Sequence, residues 1–456
     1  MKDFRVFSLT IFLLLTLPKC LAAQEYPYRG SIHYNFTPEE NQFLDTLERR
    51  TFDYFWQECN PSNGLVKDRS VETSPASIAA TGFGIVVWAI GAGNNWISRQ
   101  EAEERTLSLL RFLFASEQSE SPDATGYKGF YYHFLNMQTG KREWNCELST
   151  IDTAWLLAGV RFARQFYSGK NKAEEEIRTL SDKITSRVDW DWSVLKQGKY
   201  SGFIAQGWRP EKGFLDLGWF GYNESLFLFI VASGSTLSNP IPVYNNWLST
   251  YAWINPYPEL SHFLFPPLFG HQYSHMFIDF RNVADMKLKE KGIDYFENSR
   301  RAVLCQRKYA SENPFKRKGY DSLCWGMTAS DGPSHNGYIG YAARGTSGKG
   351  FEHDDDGTIA PTAAAASIPF APEICMKTIK NMYEKYGQLG LWGRYGFVDA
   401  FNPDANWVDS DYLGIDQGPI IIMIENLRTG LVWKEMMKDE VVLAGLKRLQ
   451  FQAYYQ

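Results

Sequence analysis

Three carboxylates stand where apolar helical stretches begin. Asp152 closes Glu147-Leu148-Ser149-Thr150-Ile151-Asp152, Glu224 sits in Gly221-Tyr222-Asn223-Glu224-Ser225, and Asp416 lies in Gly414-Ile415-Asp416-Gln417-Gly418-Pro419. A proton donor and a second carboxylate flanking one bond are what glycoside hydrolysis requires. Ser149 would cap the helix after it, placing Asp152 in the first turn; there an acid also simply complements the helix dipole, worth about 0.3–1 kcal/mol. Glu224 precedes Leu226-Phe227-Leu228-Phe229-Ile230. At the edge of so apolar a run a carboxyl is partly desolvated, which raises its pKa and keeps it protonated near neutral pH, as a proton donor must be. The alternative is a structural Glu in a buried hydrogen-bond network. Asn223 beside it could cap the helix or hold a sugar hydroxyl. Asp416 lies between two glycines ahead of Pro419 and an Ile-rich helix; the permissive backbone would push it into a cavity, where it could activate water, or it caps the helix.

Other clusters read less sharply. Glu352-His353-Asp354-Asp355-Asp356-Gly357-Thr358 lacks the terminal Glu of a calcium-binding loop and reads as a solvated loop or cleft rim. His262, His271 and His275 have no HExxH glutamate, which leaves sugar-hydroxyl binding or packing. Ser149, Ser225 and Ser274 have no G-x-S-x-G context, against a serine hydrolase. Past the amino-terminal stretch, Cys59, Cys146, Cys305, Cys324 and Cys375 show no metal-ligand spacing; buried free thiols are expected, with Cys305 and Cys324 the one plausible pair.

The elements that must position these acids follow one grammar. Besides the three segments above, Ala79-Ala80-Thr81-Gly82-Phe83-Gly84, Gly270-His271-Gln272-Tyr273-Ser274-His275 and Ala360-Pro361-Thr362-Ala363-Ala364 also run from small or polar residues into helical stretches. Small residues let helices approach closely, and helix beginnings present free N–H groups. Between these apolar stretches lie charged, amphipathic ones: 171–188, 294–310, 371–386 and 438–452. Thr37-Pro38-Glu39-Glu40 and Ser98 with Glu101 read as capping boxes opening two further helices. Alternating apolar and amphipathic helices predict an all-α, (α/α)6 toroid of six helical hairpins. Short β-hairpins decorate its rim: 130–135 with 141–144, and 200–206.

Composition narrows the ligand. Aromatics make 16% of the chain, and many stand beside Gly and Asn in loop-like stretches, which suits stacking on sugar faces as well as a bulky core. Trp144, Trp219, Tyr222, Trp325, Trp392 and Trp407 are candidate platforms. A formal charge of -5 argues against nucleic acid and polyanions. No linker divides the chain, so residues 24–456 read as one domain. Lys2 and Arg5, the apolar run 6–17 and Leu21-Ala22-Ala23 read as a signal peptide over 1–23. The expectation is an exported, periplasmic protein of a Gram-negative cell, with Lys19 disfavouring lipid anchoring at Cys20. No membrane insertion, cofactor or metal is expected, and the chain is expected to be a monomer.

Four ordered motifs resemble the bacterial glucoamylase-like domain, which includes the endo-β-1,2-glucanases. They are Glu147-Leu148-Ser149-Thr150-Ile151-Asp152-Thr153-Ala154, Gly221-Tyr222-Asn223-Glu224, Phe269-Gly270-His271-Gln272-Tyr273-Ser274-His275 and Gly414-Ile415-Asp416-Gln417-Gly418-Pro419. The resemblance implies the toroid, no required metal and inverting hydrolysis of a glucan, with Glu224 as proton donor and Asp152 and Asp416 as the other essential acids. The β-1,2 linkage comes from the resemblance alone. Motif positions Glu147, Tyr222, Asn223, His271, Gln272, His275 and Gln417, with Trp144, Trp219, Trp325 and Trp392, are the expected substrate contacts. Rival readings are a glucoamylase-type hydrolase of another glucan, a polysaccharide lyase using His271, Tyr273 and His275, and a non-catalytic glycan-binding surface protein.

Overall fold

Thr37 and Ser98 each accept the N3 amide while Glu40 and Glu101 reach back to the cap, so both capping boxes form as the sequence requires. They open the helices α1 (Pro38–Gln57) and, after α2 (Ile78–Gly93), α3 (Arg99–Ala115) in the computed structural model, which describes residues 34–333 and 340–454. The expected signal peptide and Cys20 lie outside the described residues. There follow α4 (Thr150–Phe166), α5 (Lys172–Ser186), α6 (Leu226–Gly234), α7 (Pro240–Ser249), α8 (Phe269–Phe277), α9 (Met286–Lys289) and α10 (Tyr295–Glu312). The chain ends through α11 (Pro361–Ala365), α12 (Pro372–Tyr386), α13 (Gly414–Arg428), α14 (Leu431–Met436) and α15 (Glu440–Arg448). No helix of the described residues is long and apolar enough to cross a membrane.

The helices divide by burial. Each of the six small-residue starts lies in or at the head of one of α2, α4, α6, α8, α11 and α13, whose residues are buried nearly all round. Between them come amphipathic helices such as α3, α5, α10 and α12, buried along one face. Neighbours follow in order: α2 packs on α4, α4 on α6, α6 on α8, α11 on α13, and α13 back on α2. Between α8 and α11 the link is Gln272, whose Nε2 donates to Ala363 O and Ser367 Oγ, both over 2.8 Å. Contact between α2 and α4 is backbone to backbone. A Cβ on Gly82 would collide with the Trp155 carbonyl, and one on Gly159 with the Gly82 carbonyl.

Where the apolar helices converge, their rings fill the middle. Trp155 of α4 lies 5.5 Å from Phe227 of α6 and 5.9 Å from Tyr273 of α8, while Phe83 of α2 meets both Tyr273 and Phe277. These rings are a core use of aromatics.

Strands are short and peripheral. The largest sheet is antiparallel, in the order Gly126–Tyr127, Phe130–Tyr132, Leu148–Ser149, Gly207–Arg209 and Gly213–Phe214. The expected strand over 200–206 is turns with isolated bridges at Ile204 and Ala205; pairing starts at Gly207, where Ser149 has a free edge to match. Over 141–144 only Arg142 bridges back, to Leu135, because Trp144 and Asn145 turn into the left-handed region at φ 53° and 48°. Cys305 and Cys324 are free, as are the three other described cysteines, all buried.

Candidate active site

The strand Leu148–Ser149 runs straight into α4, and Ser149 caps it, accepting the Asp152 amide at 3.2 Å. The Ser149 hydroxyl donates in turn to Asp152 Oδ2 at 2.5 Å. His133 completes the arrangement from the bend between the strands Phe130–Tyr132 and Phe134–Leu135. Its Nε2 stands 3.7 Å from Asp152 Oδ2, and its Nδ1 3.0 Å from Glu147 Oε1. Burial disfavours the imidazolium, but Asp152 and Glu147 outweigh it and push the His133 pKa up to about 9. Its hydrogen bond holds Glu147 down at about 2, helped by Arg209 at 3.5 Å.

Glu224 sits on the turn that feeds α6, a helix with no side-chain cap. Asn223 builds that turn: its Oδ1 accepts the Ser225 amide at 3.0 Å and its Nδ2 donates to Phe220 O. Ser274 of α8 pins it, accepting the Phe227 amide at 3.0 Å and donating to the Glu224 carbonyl at 2.8 Å. One carboxylate oxygen is left over. Oε2 is buried and has no hydrogen-bond partner among the described residues. Burial, with a smaller push from Asp152, raises the Glu224 pKa to about 7.

Asp416 lies in the first turn of α13, which begins at Gly414 and carries Pro419 inside it, not ahead of it. Pro419 has no amide to give the carbonyl of Ile415, and Tyr273 Oη donates there instead, at 3.0 Å. Beside Asp416 is Asp399, hydrogen-bonded to it; burial raises the pKa of both, more so for Asp399. Asp331 donates its amide to Asp399 Oδ2 at 2.6 Å and offers its carboxylate to Arg69 at 2.8 Å. Burial, then Asp399 and Asp331, hold Asp409 up at about 7. Buried oxygens of Asp399, Asp409 and Asp416 have no partner among the described residues.

These groups lie within electrostatic reach of one another. Glu224 feels Asp152, His133 feels Asp152 and Asp68, Asp416 feels Asp68, and Tyr273 feels both Asp416 and Glu224. The three acids singled out in the sequence are thus electrostatic neighbours, gathered by the heads of α4, α6 and α13. His133 and Glu147 stay 32% and 24% exposed in their side chains, so water reaches this pair.

The other expected contacts divide. Glu147 pairs with His133, and Trp144 is 62% exposed. Tyr222 is buried against His271, Tyr251 and Tyr295. His271 lies 3.1 Å from Phe265 O and His275 3.0 Å from Ser299 Oγ, with burial lowering both imidazoles. Gln417 Nε2 donates to Phe397 O at 2.9 Å. Trp219 donates to Thr150, Trp325 is fully buried, Trp392 is wedged against Phe43 and Arg50, and Trp407 is half-buried in a hairpin with Asn402. Packed this way, Tyr222, Trp219 and Trp325 have no free ring face for a sugar.

Sequence reading missed His133, Asp68, Arg69, Asp331, Asp399 and Asp409. All lie on short strands or loops, outside the helix-start pattern; the nearest signal is Asp399, alone in the apolar Phe397-Val398-Asp399-Ala400-Phe401. One oxygen each from Asp331, Asp399 and Asp409 lie within 4.8 Å of one another, a spacing a divalent cation could bridge. Arg69 pairs with Asp331, and burial favours the neutral form of Asp399 and Asp409, which offsets part of that charge.

Residues 216–440 match the Glycoamylase family model, described as "Putative glucoamylase". A crystal structure with that same designation, from Bacteroides fragilis NCTC 9343, is 32% identical, covers 92% of this chain and 99% of its own, and superposes with a TM-score of 0.80. An endo-β-1,2-glucanase from Chitinophaga pinensis, in complex with sophorotriose and glucose, is 29% identical over 92% of this chain and 99% of its own, with a TM-score of 0.78. An exo β-1,2-glucooligosaccharide sophorohydrolase (non-reducing end) from Parabacteroides distasonis is 29% identical over 90% of this chain. This chain spans 58% of that relative's length.

Proposed function

This chain belongs to the glucoamylase-like family, and on that footing we propose that it is an exported glycoside hydrolase of β-1,2-linked glucans or their oligosaccharides. The ordered packing of α2, α4, α6, α8, α11 and α13 supports a closed (α/α)6 toroid, with the three acids at its mouth. Glu224 carries the reading. It is a carboxyl held up to about 7 by burial, with an unpartnered oxygen, beside a second acid that the Ser149 hydroxyl and His133 hold in place.

In the reaction proposed, Glu224 gives its proton to the glycosidic oxygen as the bond to the anomeric carbon breaks. Water attacks that carbon from the opposite face and loses a proton to Asp152 or Asp416, so the anomeric centre inverts. The unpartnered oxygens of Asp399, Asp409 and Asp416 are acceptors suited to the hydroxyls of a neutral sugar. The β-1,2 linkage rests on what the Chitinophaga and Parabacteroides relatives are named for.

The test is product chromatography on β-1,2-glucan, starch and β-1,3-glucan, with the anomer followed by NMR. Release of short oligosaccharides from β-1,2-glucan, with inversion, is expected. Cleavage of starch alone would remove the linkage, and a retained anomer the mechanism.

A further inference from the structure

Among the six candidate ring platforms, Trp144 alone is largely exposed, and it is held rigidly. It and Asn145 adopt successive left-handed conformations, a strained backbone for residues with side chains. The buried guanidinium of Arg142 pins that turn, donating to Cys146 O at 2.6 Å and Asn145 O at 2.8 Å, and is itself anchored on Glu211 at 2.7 Å. A strained, anchored turn that presents a large apolar ring to water gains nothing from burying it, which is the usual reason for a tryptophan.

Trp144 lines a cavity of about 440 Å³, within the ~300–1,000 Å³ range of small-molecule sites. The walls mix apolar Met137 and Pro75 with polar Glu72, Ser74 and Gln138. Its one cation, Lys67, is neutralised by Glu58 at 2.8 Å, so the lining offers nothing to an anionic ligand. An exposed indole with carboxylate, amide and hydroxyl groups around it fits a neutral pyranose, whose C–H face stacks while its rim hydrogen-bonds. A chain of side-chain contacts also links this cavity to Asp152. The Trp144 ring lies 5.0 Å from that of Phe134, which stacks on His133 at 4.0 Å, and His133 reaches Asp152 at 3.7 Å.

We propose that the Trp144 cavity is an outer subsite holding a glucosyl unit of the bound chain beyond those flanking the cleaved bond. This rests on the glucan-hydrolase reading above. Trp144 then governs preference for chain length and has no part in bond breaking.

The experiment compares Trp144→Ala and Trp144→Phe with the parent on β-1,2-linked oligosaccharides of increasing length and on the polymer. Calorimetric binding of the same sugars is measured in a Glu224→Gln background, and thermal unfolding checks folding. Trp144→Ala should stay within about twofold of the parent on the shortest oligosaccharide cleaved. On long chains it should lose about tenfold in kcat/KM, through KM, with Trp144→Phe recovering most of that. Equal loss at every length, or none at any, overturns the subsite. Should the parent cleave no glucan at all, the hydrolase reading falls separately; the subsite then stands if Trp144→Ala weakens polymer binding and falls if it does not.

Discussion

The hydroxyl of Tyr273 on α8 donates to the carbonyl of Ile415 on α13 at 3.0 Å, filling the vacancy that Pro419 leaves in the helix ladder. The bond fixes the turn carrying Asp416 to a residue whose hydroxyl is also within electrostatic reach of Glu224. Tyr273→Phe keeps the ring packing and orphans a buried carbonyl, at a cost of about 1–3 kcal/mol. Chemical denaturation should show that loss with an unchanged m-value, and turnover should fall further than the lost stability explains, because Asp416 is no longer held. Wild-type turnover in Tyr273→Phe would separate this bond from the site.

In the reaction proposed above, Glu224 sets the alkaline side of the pH profile. The donor there must be protonated, and burial raises this carboxyl from 4.5 to about 7. Activity on a glucan should therefore fall as pH rises through about 7. Glu224→Gln removes the transferable proton and should lower kcat about 10²–10⁴-fold while keeping affinity. An alkaline limb far above pH 7 would assign the donor elsewhere.

How far the sequence reached depends on which forces act locally. Caps are local: Thr37, Ser98 and Ser149 read directly, because a hydroxyl and an amide three residues on are all they need. The acids at Asp152, Glu224 and Asp416 were legible for the same reason, each tied to a helix head. His133 and Asp399 were not, since their meaning comes from partners distant in the chain: Asp152 for one, Asp416 for the other. Strand limits failed at 200–206 because only isolated bridges form there, Ile204 to Val194 and Ala205 to Gly218, while the ladder starts at Gly207, whose partner Ser149 is far away in the chain. Rings were ambiguous in composition, and only burial separates the hub at Trp155 from the exposed Trp144.

Gly159 offers a test of the α2–α4 contact. A methyl group there meets the Gly82 carbonyl, a backbone atom with no rotamer to yield. Gly159→Ala should cost at least the ~1–3 kcal/mol of ordinary overpacking. Gly93→Ala, at the end of α2 with nothing within 4 Å of the new carbon, should instead be neutral or stabilise by up to about 1 kcal/mol. Thermal unfolding of the two variants side by side measures the difference, and equal midpoints would mean the helices can slide apart.

Asp409 should make stability fall as the solution becomes alkaline. Its carboxyl sits at about 7 in the folded chain, against an ordinary 3.8, because burial, Asp399 and Asp331 all oppose ionisation. The folded state thus holds this proton more tightly than the unfolded one, so the stability it contributes is complete below about 3.8 and drains away as pH rises towards 7. Asn has no proton to lose and keeps the acceptor that serves the amides of Ser410 and Asp411 at 2.7 and 3.2 Å. Asp409→Asn should therefore unfold at a higher temperature than the parent at pH 8, with the advantage shrinking steadily towards pH 4. An advantage that is flat across this range would mean that Asp409 is already ionised and compensated in the folded protein.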